Sequence, residues 1–225
     1  MTSAPPERER PGAVLPFLPD PRPDRVPDSL TALLLMAVGY LLGSTPSGFL
    51  AGRWLKGIDL RDCGSGSTGA TNVLRNVGKG PALVVFLVDV GKGALAVLVT
   101  KSVDLNDWVQ VLAGLAALAG HIWPIWLGWK GGKAVATGLG MFLGLAWPVG
   151  LACFGLFIAV ISIFRIVSLS SVVAAIGLPL LMLISGGGSA YVVVSLVASL
   201  MVLWRHRSNI ERLLAGTEPK IGEKA

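Results

Sequence analysis

Ala134 to Phe164, AVATGLGMFLGLAWPVGLACFGLFIAVISIF, runs for 31 residues without a charge. One bilayer crossing takes about 20 apolar residues, so the run is long for a single upright helix. It is interrupted at Trp147-Pro148-Val149-Gly150, a natural site for a turn. One tilted helix would absorb the length, but two short spans joined at the Pro-Gly site are the more natural reading. Residues 166–204 pose the same question. These 39 uncharged residues are divided by Gly186-Gly187-Gly188 and read as two further spans, with Arg165 between the two runs.

The whole chain agrees with a membrane reading. Its 225 residues are 53% hydrophobic and 14% charged, with a mean hydropathy of +0.70, which places it among integral membrane proteins. A formal charge of +6 and a pI of about 9.7 suggest basic cytoplasmic loops and an anionic ligand or lipid surface. No zinc-finger spacing or base-stacking module is visible, so nucleic acid is not expected. Cys63 and Cys153 form no metal-ligand or disulfide pattern and read as free thiols. Residues 1–28 hold eight prolines and mixed charges, and read as a disordered Pro-rich extension. Residues 29–52, 81–100 and 108–126 supply three more spans, the first ending in GSTPSG, where a kink is expected. Placing 53–80, 126–136, 165–171 and 205–225 on the cytoplasmic face satisfies the positive-inside rule. The expected fold is an all-α polytopic bundle of seven transmembrane helices, N-terminus outside and C-terminus cytoplasmic. Five spans would keep the same ends but put Arg165 outside.

That topology gathers the polar segments on one face. GSGSTGATNVLRN, residues 64–76, carries three glycines among Ser65, Ser67, Thr68, Thr71, Asn72 and Arg75. It reads either as a flexible loop or as an anion nest of inward-turned N–H groups. Lys130-Gly131-Gly132-Lys133 precedes an apolar helix, a favourable place for an anion, although the spacing is not that of a Walker A loop. Asp89 and Lys92 stand three apart inside the second span, so they share a face that should look inward. A mutual ion pair and a ligand contact both fit them. His121 reads as a packing or interface histidine, with catalysis the less common role. Ser168 and the RHRSN of the tail complete a basic surface suited to a phosphorylated substrate, and an opening toward lipid would suit an acyl chain.

Three segments carry a family resemblance. GSTPSGFLAGRWLKGIDLRDCGSGSTGATNVLRNVGK (43–79), GHIWPIWLGWKGGKAVATG (120–138) and RHRSNIERLLAGTE (205–218) resemble, in order and spacing, the signature regions of the bacterial acyl-phosphate-dependent glycerol-3-phosphate acyltransferases. The resemblance covers roughly residues 30–222. It implies an enzyme of the bacterial cytoplasmic membrane with its active site facing the cytoplasm. Such an enzyme moves a fatty acyl group from acyl phosphate to the 1-hydroxyl of glycerol 3-phosphate. The products are lysophosphatidic acid and phosphate, the first step of phospholipid synthesis.

By the same resemblance, Ser65, Arg75, His206 and Asn209 match catalytic positions and Glu218 a structural one. Asn72, Gly131, Gly132, Lys133 and Ser168 fall at substrate-binding positions; Ser67 and Lys92 join them as candidates. The Gly131 and Gly132 N–H groups, with Lys133 and Arg75, would hold phosphate. The family usually has Asn where this chain has Ser67, which is shorter and lacks the amide donors. No GxSxG elbow is present, so no acyl-serine is expected. Proton removal by the substrate's own phosphate is favoured over His206, which lies between two arginines. Neither cofactor nor metal is expected, and the chain is expected to act as a monomer on its two substrates within membrane lipid. The competing reading is a transporter or flippase for a phosphorylated metabolite, kept open by Asp89 and Lys92.

Overall fold

A computed structural model of the protein describes residues 29–103 and 106–223; the expected extension at 1–28 lies outside them. The described residues are helical, with short 3-10 turns and no strand. Helix α1 is Ser29–Gly43, α2 Ser47–Lys56, α3 Ala70–Asn76, α4 Lys79–Val103 and α5 Asp107–Ile122. Then come α6 Val135–Leu145, α7 Trp147–Phe164, α8 Val167–Ile184, α9 Ser189–Arg205 and α10 Arg207–Leu214.

Five segments are long and apolar enough to cross a membrane: 29–56, 79–103, 107–127, 147–164 and 167–184. The pair α9 and α10, bent by 63°, makes a sixth candidate if counted as one span. With 11 residues, α6 is about 16 Å long, well short of the roughly 30 Å hydrocarbon core. The break expected near Pro148 falls at Ala146, whose extended φ of −145° separates α6 from α7. Pro148 then sits in the first turn of α7, where its missing N–H is harmless. In the first span, Pro46 does more than kink the helix. It caps a new one after a break at 44–46.

Small residues set the helix spacing. Gly39 and Gly43 of α1 lie against the backbone of Ala113 and Ala117 of α5, a small-xxx-small seam on both sides. Gly93 of α4 meets Thr137, and Gly140 of α6 meets Val90. These approaches leave no room for a Cβ, and they fix α6 alongside the second half of α4. The core is apolar, with Leu118, Ile122, Met141 and Val194 among its buried members. Large side chains such as Leu33, Leu87, Ile163 and Leu200 face outward, as a lipid-facing surface requires.

Candidate active site

The 64–76 segment is organised by Asn72, which is 2% exposed. Its amide nitrogen donates to the carbonyls of Leu60, Cys63 and Ser67 at 2.9–3.0 Å. Its oxygen accepts from the Ser65 N–H and from Asn76. Asn72 is therefore the post around which the loop winds, with Gly64 and Gly66 at positive φ where the chain turns. Ser67 spends its hydroxyl oxygen on the Gly69 N–H at 3.4 Å. The Ser65 hydroxyl and the Arg75 guanidinium, by contrast, face the neighbouring cavity with no hydrogen bond to any described residue. Arg61 ties this loop to the next, pairing with Asp59 at 2.5 Å and donating to the Leu127 carbonyl at 3.0 Å.

The second loop departs from expectation. Gly131 and Gly132 donate their N–H groups to the carbonyls of Ile122 and His121, at 3.1 and 3.0 Å. Their own carbonyls accept from Arg205. Those N–H groups are occupied within the protein, so the expected phosphate nest there is corrected. The glycines serve close approach instead, since a Cβ on Gly132 would overlap the His121 ring. The loop's contribution to the cavity is Lys133, whose ammonium donates to Asn209 Oδ1.

Glu218 joins the third segment to the rest. Oε1 accepts from Ser168 and from Asn209 Nδ2, both at 2.7 Å, and Oε2 accepts from Arg212 at 2.7 Å. The tail is held there by the Ile221 N–H, which donates to the Arg165 carbonyl. His206 Nδ1 lies 2.8 Å from the Val202 carbonyl, so it carries the proton and leaves Nε2 as the ring's remaining site.

Behind the loops lies a buried ionic cluster. Asp89 and Lys92 pair at 2.8 Å, and their side chains are 3% and 5% exposed. Asp89 Oδ1 also accepts from the Ser47 hydroxyl at 2.7 Å and lies 3.8 Å from His121 Nδ1. Lys92 donates to the Thr45 carbonyl at the α1–α2 break.

One cavity of about 140 Å³, room for several waters, unites these parts. Ser65, Ser67, Asn72 and Arg75 line it from the first loop, Lys133 from the second. Ser168, His206, Asn209 and Glu218 close it from the other side. Gly131, Gly132 and Lys92 stand behind the wall and do not line it. Asp89, His121 and Thr71 also line the cavity. The sequence alone leaves Asp89 between an ion pair and a ligand contact, presents His121 as a packing residue and gives Thr71 no role beyond the loop. The shared helical face of Asp89 and Lys92 was the available signal.

Residues 33–216 match the glycerol-3-phosphate acyltransferase family. The chain belongs to that family. A glycerol-3-phosphate acyltransferase of Parasynechococcus marenigrum (strain WH8102) is 87% identical over 94% of this chain and 100% of its own length. One from Prochlorococcus marinus (strain MIT 9313) is 68% identical over 86% of this chain and 96% of its own. The crystal structure of PlsY, an integral membrane glycerol 3-phosphate acyltransferase, in its glycerol 3-phosphate form superposes with a TM-score of 0.81. It is 39% identical over 85% of this chain and 96% of that one. The lysophosphatidic acid form of PlsY gives 0.79 at 38% identity, with the same coverage.

The electrostatics of this acyltransferase cavity favour anions. Burial is the main cause that lowers Lys133, to about 8; the charges of Arg212, Arg205 and Arg75 add to it, and Glu218 opposes them. Burial pushes Glu218 upward, but hydrogen bonds from Asn209, Ser168 and Arg212 outweigh it and hold the carboxyl below its usual range. The cavity also adjoins an apolar groove. Phe86, Val135, Ala136, Phe157 and Ser171 line both, and beyond them the groove runs between Phe154, Cys153, Leu178 and Ala198.

Proposed function

We propose that this acyltransferase takes its acyl group from acyl phosphate and places it on the 1-hydroxyl of glycerol 3-phosphate. The observation that carries the reading is the continuity of a cationic polar cavity with an apolar groove. A single compartment can then hold phosphate groups at one end and an alkyl chain at the other. The protein is an enzyme of the glycerol-3-phosphate acyltransferase class, so the transporter reading is not carried forward.

Acyl phosphate is already activated, and the task left to the protein is positioning and charge stabilisation. The C1 oxygen of glycerol 3-phosphate bonds to the acyl carbon, the bond from that carbon to the phosphate oxygen breaks, and phosphate departs with the electron pair. The hydroxyl proton passes to the departing phosphate, whose oxygens gain negative charge and basicity as the bond to the acyl carbon breaks. Arg75 and Lys133 hold phosphate oxygens, and Ser65 orients them. Lys133 keeps two N–H donors after its bond to Asn209. Ser168 gives its only proton to Glu218, so Ser168, Asn209 and Glu218 act by fixing Lys133 and the tail. His206 supplies a fixed ring edge at the cavity wall. Asn72 acts by shaping the loop that presents Ser65.

The reading extends to seven crossings, with the N-terminus outside, the C-terminus cytoplasmic and the cavity open to the cytoplasm of a bacterial inner membrane. The basic loops support that orientation. A single chain carries every group named, so a monomer suffices. Purified protein in detergent should convert acyl phosphate and glycerol 3-phosphate to lysophosphatidic acid without acyl-CoA; absence of product would sink the reading.

A further inference from the structure

Two carboxylates line the cavity, Glu218 and Asp89. Glu218 is engaged on both oxygens by Ser168, Asn209 and Arg212, whereas Asp89 is bonded on only one. Asp89 shares the pocket with Arg75, Lys133 and His206. A carboxylate facing the phosphates would repel them. It is compatible with the same cavity only where the substrate presents a hydroxyl.

The charges divide the site in that sense. Lys133 interacts with Glu218, Arg212, Arg205 and Arg75. Asp89 instead belongs to a separate group with Lys92, Ser47 and His121. All three contacts of Asp89 fall on Oδ1, and Oδ2 has no hydrogen bond to a described residue. Oδ1 is thus the anchored oxygen, and Oδ2 is left to accept. The C1 hydroxyl gives its proton to the departing phosphate in the transfer above, which leaves the C2 hydroxyl for this acceptor.

We propose that Asp89 reads the secondary, C2 hydroxyl of glycerol 3-phosphate, with Ser47 and Lys92 as the positioning residues that aim its free oxygen. The inference rests on the acyl-transfer reading above and names how that site recognises the glycerol moiety. It assigns the break at 44–46 a purpose: Pro46 starts α2 so that Ser47 and the Thr45 carbonyl both reach the Asp89–Lys92 pair.

The test compares glycerol 3-phosphate with 3-hydroxypropyl phosphate, which keeps the reacting hydroxyl and the phosphate but lacks the C2 hydroxyl. A hydrogen bond to a charged acceptor should give the wild type a preference of about 10- to 100-fold in kcat/KM for glycerol 3-phosphate. In Asp89→Asn that preference should fall to within about threefold. A purely structural role would depress both substrates alike and keep the ratio, and that result would overturn the proposal. So would a wild type that does not distinguish the two. Should Asp89→Asn fail to fold, Ser47→Ala keeps the ion pair and should lower the ratio by about threefold; an unchanged ratio there also overturns it. A wild type inactive on both substrates would instead count against the acyl-transfer reading itself.

Discussion

Lys133 joins the cavity's charge to its pH response. An ammonium is charged below its pKa, so with a value near 8 the charge is present at neutral pH and lost as pH rises through that value. The kcat/KM for glycerol 3-phosphate should therefore fall on an alkaline limb near pH 8 in the free enzyme. Lys133→Arg, always charged, should move that limb out of the accessible range even if its geometry lowers the rate. Asn72 acts through shape. Asn72→Ala would strand three carbonyls that it now serves, and should cost about 1–3 kcal/mol, read as a lower midpoint in detergent unfolding. Its activity should fall as well, because the Ser65 N–H loses its anchor.

Among the elements, α4 and α6 together form one wall of the site, through Phe86, Asp89, Val135 and Ala136. Gly140 lies against the Val90 backbone, and Gly140→Val should pry the two helices apart. A loss of about 1–3 kcal/mol and a raised KM for glycerol 3-phosphate, through displaced Lys133, are the expected readouts. Much at this scale was legible in the sequence. Charge-free runs and the Gly and Pro breaks between them marked the apolar helices, because the membrane imposes a strong and local constraint. The inward face of Asp89 and Lys92 followed from their spacing of three. Other features were hidden because they depend on partners distant along the chain. Nothing in KGGK reveals that its glycine N–H groups turn back to the His121 and Ile122 carbonyls, and nothing in GATN shows that Asn72 is consumed by its own loop. Ser168 looked like a phosphate donor until Glu218, fifty residues later, claimed its proton.

For the molecule as a whole, the proposed orientation has a direct check. Ser189, at the exposed start of α9, should lie outside if the chain crosses seven times. Ser189→Cys should react in intact spheroplasts with a membrane-impermeant thiol reagent. Native Cys63 should react only after permeabilisation. Labelling in the reverse order would invert the topology.

The shortness of α6 reaches further. Its midpoint, Gly140, lies against Val90, roughly 16 Å along α4 by helical rise, and it ends where Lys101 donates to the carbonyls of Gly144 and Leu145. Lys133 therefore hangs from a strut whose other end is pinned near the far end of α4. Hydrophobic mismatch that tilts α4 should pull on that strut and shift the ammonium. In vesicles of graded acyl length, KM for glycerol 3-phosphate should pass through a minimum at a matching thickness, while Lys101→Met, with the strut unpinned, should flatten that curve. The thickness of the membrane would then act as a modulator of the enzyme that supplies it.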